Sequence, residues 1–219
     1  FIEKYKRISI IGMEKNVGKT TLLNKLIADI GTNKKLGLTS IGRDGEDIDV
    51  VTNTDKPRIY VRRGSIIATG RNCLAKCDIT KEILYVTDFT TPMGSIVIVR
   101  ALSDGYVDIA GPSYNKQVKI VVELMEKFGS EISIVDGALG RKSTAISDVS
   151  EATILSTGAA LSLDMLKVVE ETKKTVYFLK LDEAEENIKE KVEELRDKKA
   201  VLFYKNGEVA ILEVDNSID

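Results

Sequence analysis

The chain has 219 residues, 43% of them hydrophobic, enough to bury a full core and most simply a single α/β domain over 1–219, with two smaller units also compatible with that length. Lys and Arg number 32 against 34 Asp and Glu, a net charge of -2, which excludes a global basic field drawing the protein to nucleic acid or anionic lipid. The absence of histidine excludes Ser-His-Asp and Cys-His catalysis, and Cys73 and Cys77 alone cannot complete a structural zinc site. Chemistry must then rest on carboxylates, lysines and a metal. The two cysteines read as reduced thiols, with a regulatory disulfide or a metal shared across a dimer as the other readings. No apolar run reaches the roughly 18 residues of a membrane span. The opening Phe1-Ile-Glu-Lys-Tyr-Lys-Arg has neither an initiator Met nor the form of a signal peptide. A soluble, cytoplasmic protein is expected, and the start at Phe1 is what a fragment of a longer chain would show.

In chain order, Arg7 to Ile11 is a short apolar run rich in β-branched residues and reads as a buried strand. It leads into Gly12-Met13-Glu14-Lys15-Asn16-Val17-Gly18-Lys19-Thr20-Thr21, after which Leu22, Leu23, Leu26, Ile27 and Ile30 recur at helical spacing. Strand, glycine loop and helix start in this order make a phosphate cradle. Backbone amides and the open helix end converge on an anion, Lys19 adds a full charge, and the Thr20 hydroxyl suits Mg²⁺. Five residues separate Gly12 from Gly18, one more than in the commonest P-loop, and Met13 stands where the first glycine of that pattern would fall. Lys15 either adds charge at the phosphates or faces water.

Leu36 to Ile41 predicts a second strand, followed by the acidic turn Gly42-Arg43-Asp44-Gly45-Glu46-Asp47-Ile48-Asp49. Residues 56 to 110 contain short β-like runs broken by Gly or Pro, read as a β-rich insert or an antiparallel edge; Thr90-Thr-Pro92-Met-Gly94 has hairpin composition. Asn115 to Phe128 predicts a helix with Val118, Val121, Val122, Met125 and Phe128 on one face after the breaker Gly111-Pro112-Ser113. Strands are predicted at Ile132 to Val135, Thr153 to Ser156 and Val176 to Leu181, with a helix over about 161–172, an alternation that implies parallel strands covered by helices. Residues 182–199 predict an exposed amphipathic helix. Ala200 to Val214, with Asn206-Gly207 at its centre, predicts a hairpin on a type I′ turn, making a helix-plus-hairpin tail over about 182–215.

Asp136, at the end of an apolar strand and followed by Gly137, is the candidate for the carboxylate that holds Mg²⁺ beside the phosphates. Gly137 and Gly140 would let the backbone approach the γ-phosphate. A further carboxylate is expected among Asp44, Glu46, Asp47 and Asp49, with Asp44 favoured for its flanking glycines. Lys180-Leu-Asp182 after the predicted strand is a faint guanine-reading element, so ATP is the default nucleotide.

Gly12-Met-Glu-Lys-Asn-Val-Gly18-Lys19-Thr20 is similar to the G-T-D-x-x-V-G-K-T loop of dethiobiotin synthetases, and Asp136-Gly-Ala-Leu-Gly140 to that family's E-G-A-G-G. The likeness spans 7 to 30 and about 130 to 181. It places the chain with the deviant P-loop NTPases that include the MinD-like ATPases, although Glu14 stands where those carry a lysine. Leu38-Thr-Ser-Ile-Gly-Arg-Asp-Gly-Glu46, Ile109-Ala-Gly-Pro-Ser113, Val135-Asp-Gly-Ala-Leu-Gly-Arg141 and Thr153-Ile-Leu-Ser-Thr-Gly158 resemble the reactivase subunits of lysine 5,6-aminomutase and ornithine aminomutase. That resemblance implies a Mg²⁺-dependent ATPase acting as a machine rather than a ligase with its own small substrate, which drives exchange of damaged cobalamin from a partner aminomutase beside a companion reactivase subunit. A homodimer is expected. The alternatives are an ATP-dependent ligase or kinase acting on a small acceptor, as in dethiobiotin synthetase, and a nucleotide-binding regulatory module.

Overall fold

After a 3-10 turn at Ile2–Lys4, short apolar runs separated by glycine-bearing turns build one strand, one helix and a second strand over residues 7–40. These are β1 (Arg7–Gly12), α1 (Lys19–Ile30) and β2 (Leu36–Ser40). A computed structural model describes residues 2–42, 48–49, 54–55, 58–137, 149–182, 184–195, 197–198, 200–204 and 206–212. The remaining elements are β3 (Ile48–Asp49), β4 (Thr54–Asp55), β5 (Ile59–Val61), β6 (Ile66–Gly70), α2 (Arg71–Leu74), β7 (Lys81–Thr91), β8 (Gly94–Ala101), β9 (Gly105–Val107), α3 (Asn115–Lys127), β10 (Ile132–Asp136), β11 (Ala152–Ser156), α4 (Met165–Leu179), α5 (Glu186–Glu194), β12 (Ala200–Phe203) and β13 (Val209–Leu212).

A seven-stranded sheet runs in the order β11-β1-β10-β2-β6-β8-β7. The first five strands are parallel, β8 runs antiparallel to β6 and β7 antiparallel to β8, so the protein is α/β with a mostly parallel central sheet flanked by helices. Burial on both faces explains why β1, β2 and β10 read as continuous apolar runs instead of alternating ones. On one face Ile8, Ile10, Leu36, Leu38 and Ile134 pack with Leu23, Leu26, Ile27 and Ile30 of α1. On the other, Val135, Ile66, Ala68, Ile96 and Ile98 meet Val118, Val121, Val122 and Met125 of α3.

Of the two readings for residues 56–110, the antiparallel edge is the one observed, since β6, β8 and β7 continue the main sheet. Thr91 pairs with Gly94 across Pro92 and Met93, with Gly94 at φ 86, as the hairpin composition required. A small β5–β9 ribbon is tied to α1 by Asn24, whose side chain donates to Arg58 O and accepts from Tyr60 N, both at 3.2 Å.

Contacts group the chain into two units, residues 1–174 and 175–219, where the sequence treats 1–219 as one domain. The strand expected at Val176 to Leu181 is not formed: residues 176–179 are the last turn of α4. A short apolar run carries no period able to tell a buried strand from a helix end. Lys180 and Asp182 therefore follow a helix, which removes the strand-end setting that their guanine-reading comparison needs. The helix expected over 182–199 is the shorter α5. The C-terminal hairpin is present, but on a different turn: Phe203 pairs with Val209, Tyr204 N donates to Glu208 O at 2.9 Å, and Gly207 is at φ 88. With that register Asn206 and Gly207 are not the two-residue loop of a type I′ turn.

Candidate functional site

The parallel pairing brings the C-terminal ends of four strands into line. Ile10 pairs with Asp136, Asp136 with Ser40, and Gly12 with Ser156. The pairing continues past the strand ends, with Met13 N donating to Ser156 O at 2.9 Å, Gly137 N to Ile10 O at 2.9 Å and Ile41 N to Asp136 O at 2.8 Å. In open α/β sheets this is the edge at which ligands bind.

The loop from Gly12 to Gly18 reverses through two left-handed residues, Asn16 at φ 59 and Gly18 at φ 86. Asparagine and glycine tolerate this conformation where most side chains would clash. Gly18 then stands at the N-cap of α1 with no side chain to cap it, and the first turn holds no acidic residue. The first helical bond, from Leu22 N to Gly18 O at 2.9 Å, leaves the amides of Lys19, Thr20 and Thr21 without an intrahelical acceptor. Partial positive charge is therefore concentrated beside Gly12.

Lys19 adds to it. Its Nζ donates to the carbonyl oxygen of Glu14 at 2.9 Å, which folds the side chain back across the end of β1. A Cβ on Gly12 would lie 2.6 Å from that Nζ and 2.7 Å from Val17 Cγ2, so glycine is what lets the ammonium settle there. Burial lowers the Lys19 pKa from its ordinary value, opposed by the negative charges of Asp136 and Glu14. Asp136 is half-buried with its Oδ1 enclosed, and its charge acts on Lys19 from the neighbouring strand end.

Lys19, Thr20, Met13 and Val17 are half-buried around the loop, while Glu14, Lys15, Asn16, Gly18 and Thr21 are exposed. The Lys15 amide is taken by the Glu14 carboxylate at 2.8 Å. Gly137 is buried, with its amide committed to Ile10 O rather than turned to the edge. Asp44, Glu46, Asp47 and Gly140 lie outside the described residues, as does the side chain of Asp49.

One part of the edge was not read from the sequence. Residues 108–112 cross the ends of β2 and β6 and are held by buried hydroxyls. Thr69 Oγ1 donates to Asp108 O at 3.1 Å and accepts from Ala110 N at 2.9 Å, and Ser40 Oγ accepts from Gly111 N at 2.9 Å. Gly42 N then donates to Pro112 O at 2.9 Å. A Cβ on Gly111 would run into the Ser40 carbonyl, so the crossing requires glycine. The available signal was Gly111-Pro112, which stands in the sequence both as a helix breaker and within the Ile109–Ser113 resemblance, neither of which places it at this edge.

Among the described residues no group of three or more Cys, Asp and Glu side chains is placed to hold a metal, and no helix is long and apolar enough to cross a membrane. No family model, curated protein or solved structure matches the chain.

Proposed function

We propose that the chain binds a Mg²⁺–nucleoside triphosphate, ATP, in the Gly12–Thr21 loop, hydrolyses it, and uses the bound γ-phosphate to change its grip on a protein partner. The observation that carries this reading is the Lys19 ammonium held across Gly12, beside an uncapped helix end and at the same sheet edge as Asp136. An anion there would meet three amides and one desolvated cation. The triphosphate would offset the cost of burying Lys19, an interaction that strengthens where water is excluded.

The residues suit the metal that such a ligand brings. A hydroxyl at Thr20 and a carboxylate at Asp136 are hard oxygen donors, and Mg²⁺ is commonly held by one or two protein groups together with phosphates and waters. When bound, Mg²⁺ would neutralise charge on the phosphates. Asp44 is proposed as a further acidic group at the site. The ends of β10 and β2, next in the sheet after β1, are the natural route by which bound nucleotide would be sensed elsewhere. The motif resemblances favour reactivation of a cobalamin-dependent aminomutase as the partner process, with a companion reactivase subunit.

Titration calorimetry with Mg·ATP tests the reading. The wild-type chain should release or absorb heat that Lys19→Ala abolishes, and phosphate release should rise on adding a protein partner. Absence of heat with folded wild-type protein would sink the proposal; stimulation by a small acceptor alone would make the chain a ligase or kinase.

A further inference from the structure

Glu14 is the one acidic residue between Gly12 and Thr21, and it holds two of the loop's donors at once. Its carbonyl oxygen accepts from Lys19 Nζ at 2.9 Å, and its carboxylate Oε1 accepts from Lys15 N at 2.8 Å. A side chain bonded to a neighbouring backbone amide is the habit of Ser, Thr, Asn and Asp, whose reach is short. Here the chain turns at Lys15 and Asn16, with Asn16 at φ 59, and backbone of this kind aims amides into a concavity that takes anions. The Glu14 carboxylate takes that place. Burial lowers the Lys19 pKa and the charges of Asp136 and Glu14 oppose it, so the same carboxylate lies in the field of the loop's ammonium.

We propose that Glu14 is the specificity-determining residue of the loop: its carboxylate competes with phosphate for the Lys15 amide, and so favours a triphosphate carrying Mg²⁺ over the bare anion. The inference rests on triphosphate binding in this loop. An amide has one proton, so the Lys15 N–H is given to Glu14 or to a phosphate oxygen but not to both. Glu14 is exposed, and its side chain can swing into water without disturbing a packed neighbour. It cannot go far. The carboxylate stays tethered one residue from the amide it releases, and like charges at such range repel. That repulsion grows with the charge of the ligand. Mg²⁺ neutralises charge on the phosphates, so the metal complex meets less of it than the bare triphosphate does. Lys15 and Lys19 favour the more highly charged bare anion, and Glu14 is the group within the loop that offsets them.

Two other roles for Glu14 make different demands. As a ligand of Mg²⁺ it would strengthen binding of the metal complex, and as a solvated spectator it would affect neither form. Its bond to the Lys15 amide commits the carboxylate to a donor of the loop, which is the arrangement that competition requires.

Titration calorimetry of the full chain with Mg·ATP, and with ATP in the presence of a metal chelator, tests the inference on wild type, Glu14→Ala and Glu14→Gln. Glu14→Ala removes the competing acceptor and should bind Mg·ATP about threefold to tenfold more tightly. Glu14→Gln keeps an oxygen for the Lys15 amide but loses the charge, so its gain should fall mainly on metal-free ATP and narrow the ratio of the two affinities. A merely structural role would leave that ratio where it is. Wild-type binding that neither substitution changes, or that either weakens for Mg·ATP, overturns the role of Glu14 and leaves nucleotide binding standing. No heat from any of the three folded proteins overturns both.

Discussion

The Nζ of Lys19 donates to the carbonyl oxygen of Glu14, five residues earlier in the chain, at 2.9 Å, so the cation lies across the end of β1 instead of extending into water. Its desolvation lowers its pKa, with Asp136 and Glu14 pulling the other way. Because the unfolded chain binds the proton more tightly, this lysine lowers folded stability below its folded pKa. The penalty lifts as pH rises from that lowered value towards the ordinary 10.5.

Lys19→Met, which keeps an apolar stem and removes the charge, should therefore abolish ATP turnover while leaving the ligand-free protein as stable as wild type or more so near neutral pH. Melting curves across the alkaline range check the sign: the gap between the two proteins should close as pH approaches 10.5. A variant that melts well below wild type at neutral pH would show that the ammonium stabilises the loop.

Gly12→Ala puts a methyl group 2.6 Å from Lys19 Nζ and 2.8 Å from its Cδ, so the lysine must leave its position. Affinity for Mg·ATP should fall by about tenfold or more, with an overpacking cost of about 1–3 kcal/mol in stability. Calorimetry and urea unfolding on the same samples measure both, and unchanged affinity would separate Gly12 from the site.

Asp136→Asn removes a charge that holds the Lys19 pKa up, so the depression of that pKa should deepen. Nucleotide binding should survive better than its Mg²⁺ dependence. Titrating Mg²⁺ at fixed ATP compares the two, and equal losses would count against a metal role for this carboxylate.

Ser9 gives a prediction about stability alone. It is 1% exposed in β1, and its hydroxyl finds no hydrogen-bond partner among the described residues. An unsatisfied buried hydroxyl costs folding free energy, so Ser9→Ala should stabilise the protein by about 1 kcal/mol. Chemical denaturation reads this directly, and a destabilised variant would mean that the hydroxyl is engaged in solution.

Where a pattern is local and long, the sequence anticipated the structure closely. Val118, Val121, Val122 and Met125 recur at helical spacing and all four are fully buried on α3. Leu23, Leu26, Ile27 and Ile30 do the same on α1. Val176 to Leu179 were read as a strand because four apolar residues fit either period, and only the continuity of α4 decides between them. At the hairpin, Asn206-Gly207 marked the turn, but the register of the two flanking strands decided the loop length.

The sequence by itself determined the unit from Arg7 to Ile30: apolar strand, turn residues tolerant of positive φ, then a helix whose uncapped start bears Lys19. Each depends on neighbours a few positions away. Only the tertiary structure decided that β10 and β11 flank β1, so that Asp136 and Ser156 stand beside residues more than a hundred positions earlier, and that Gly111 closes on Ser40. Strand order is fixed by which buried faces can pack together over the whole sheet, and no local pattern of residues encodes it.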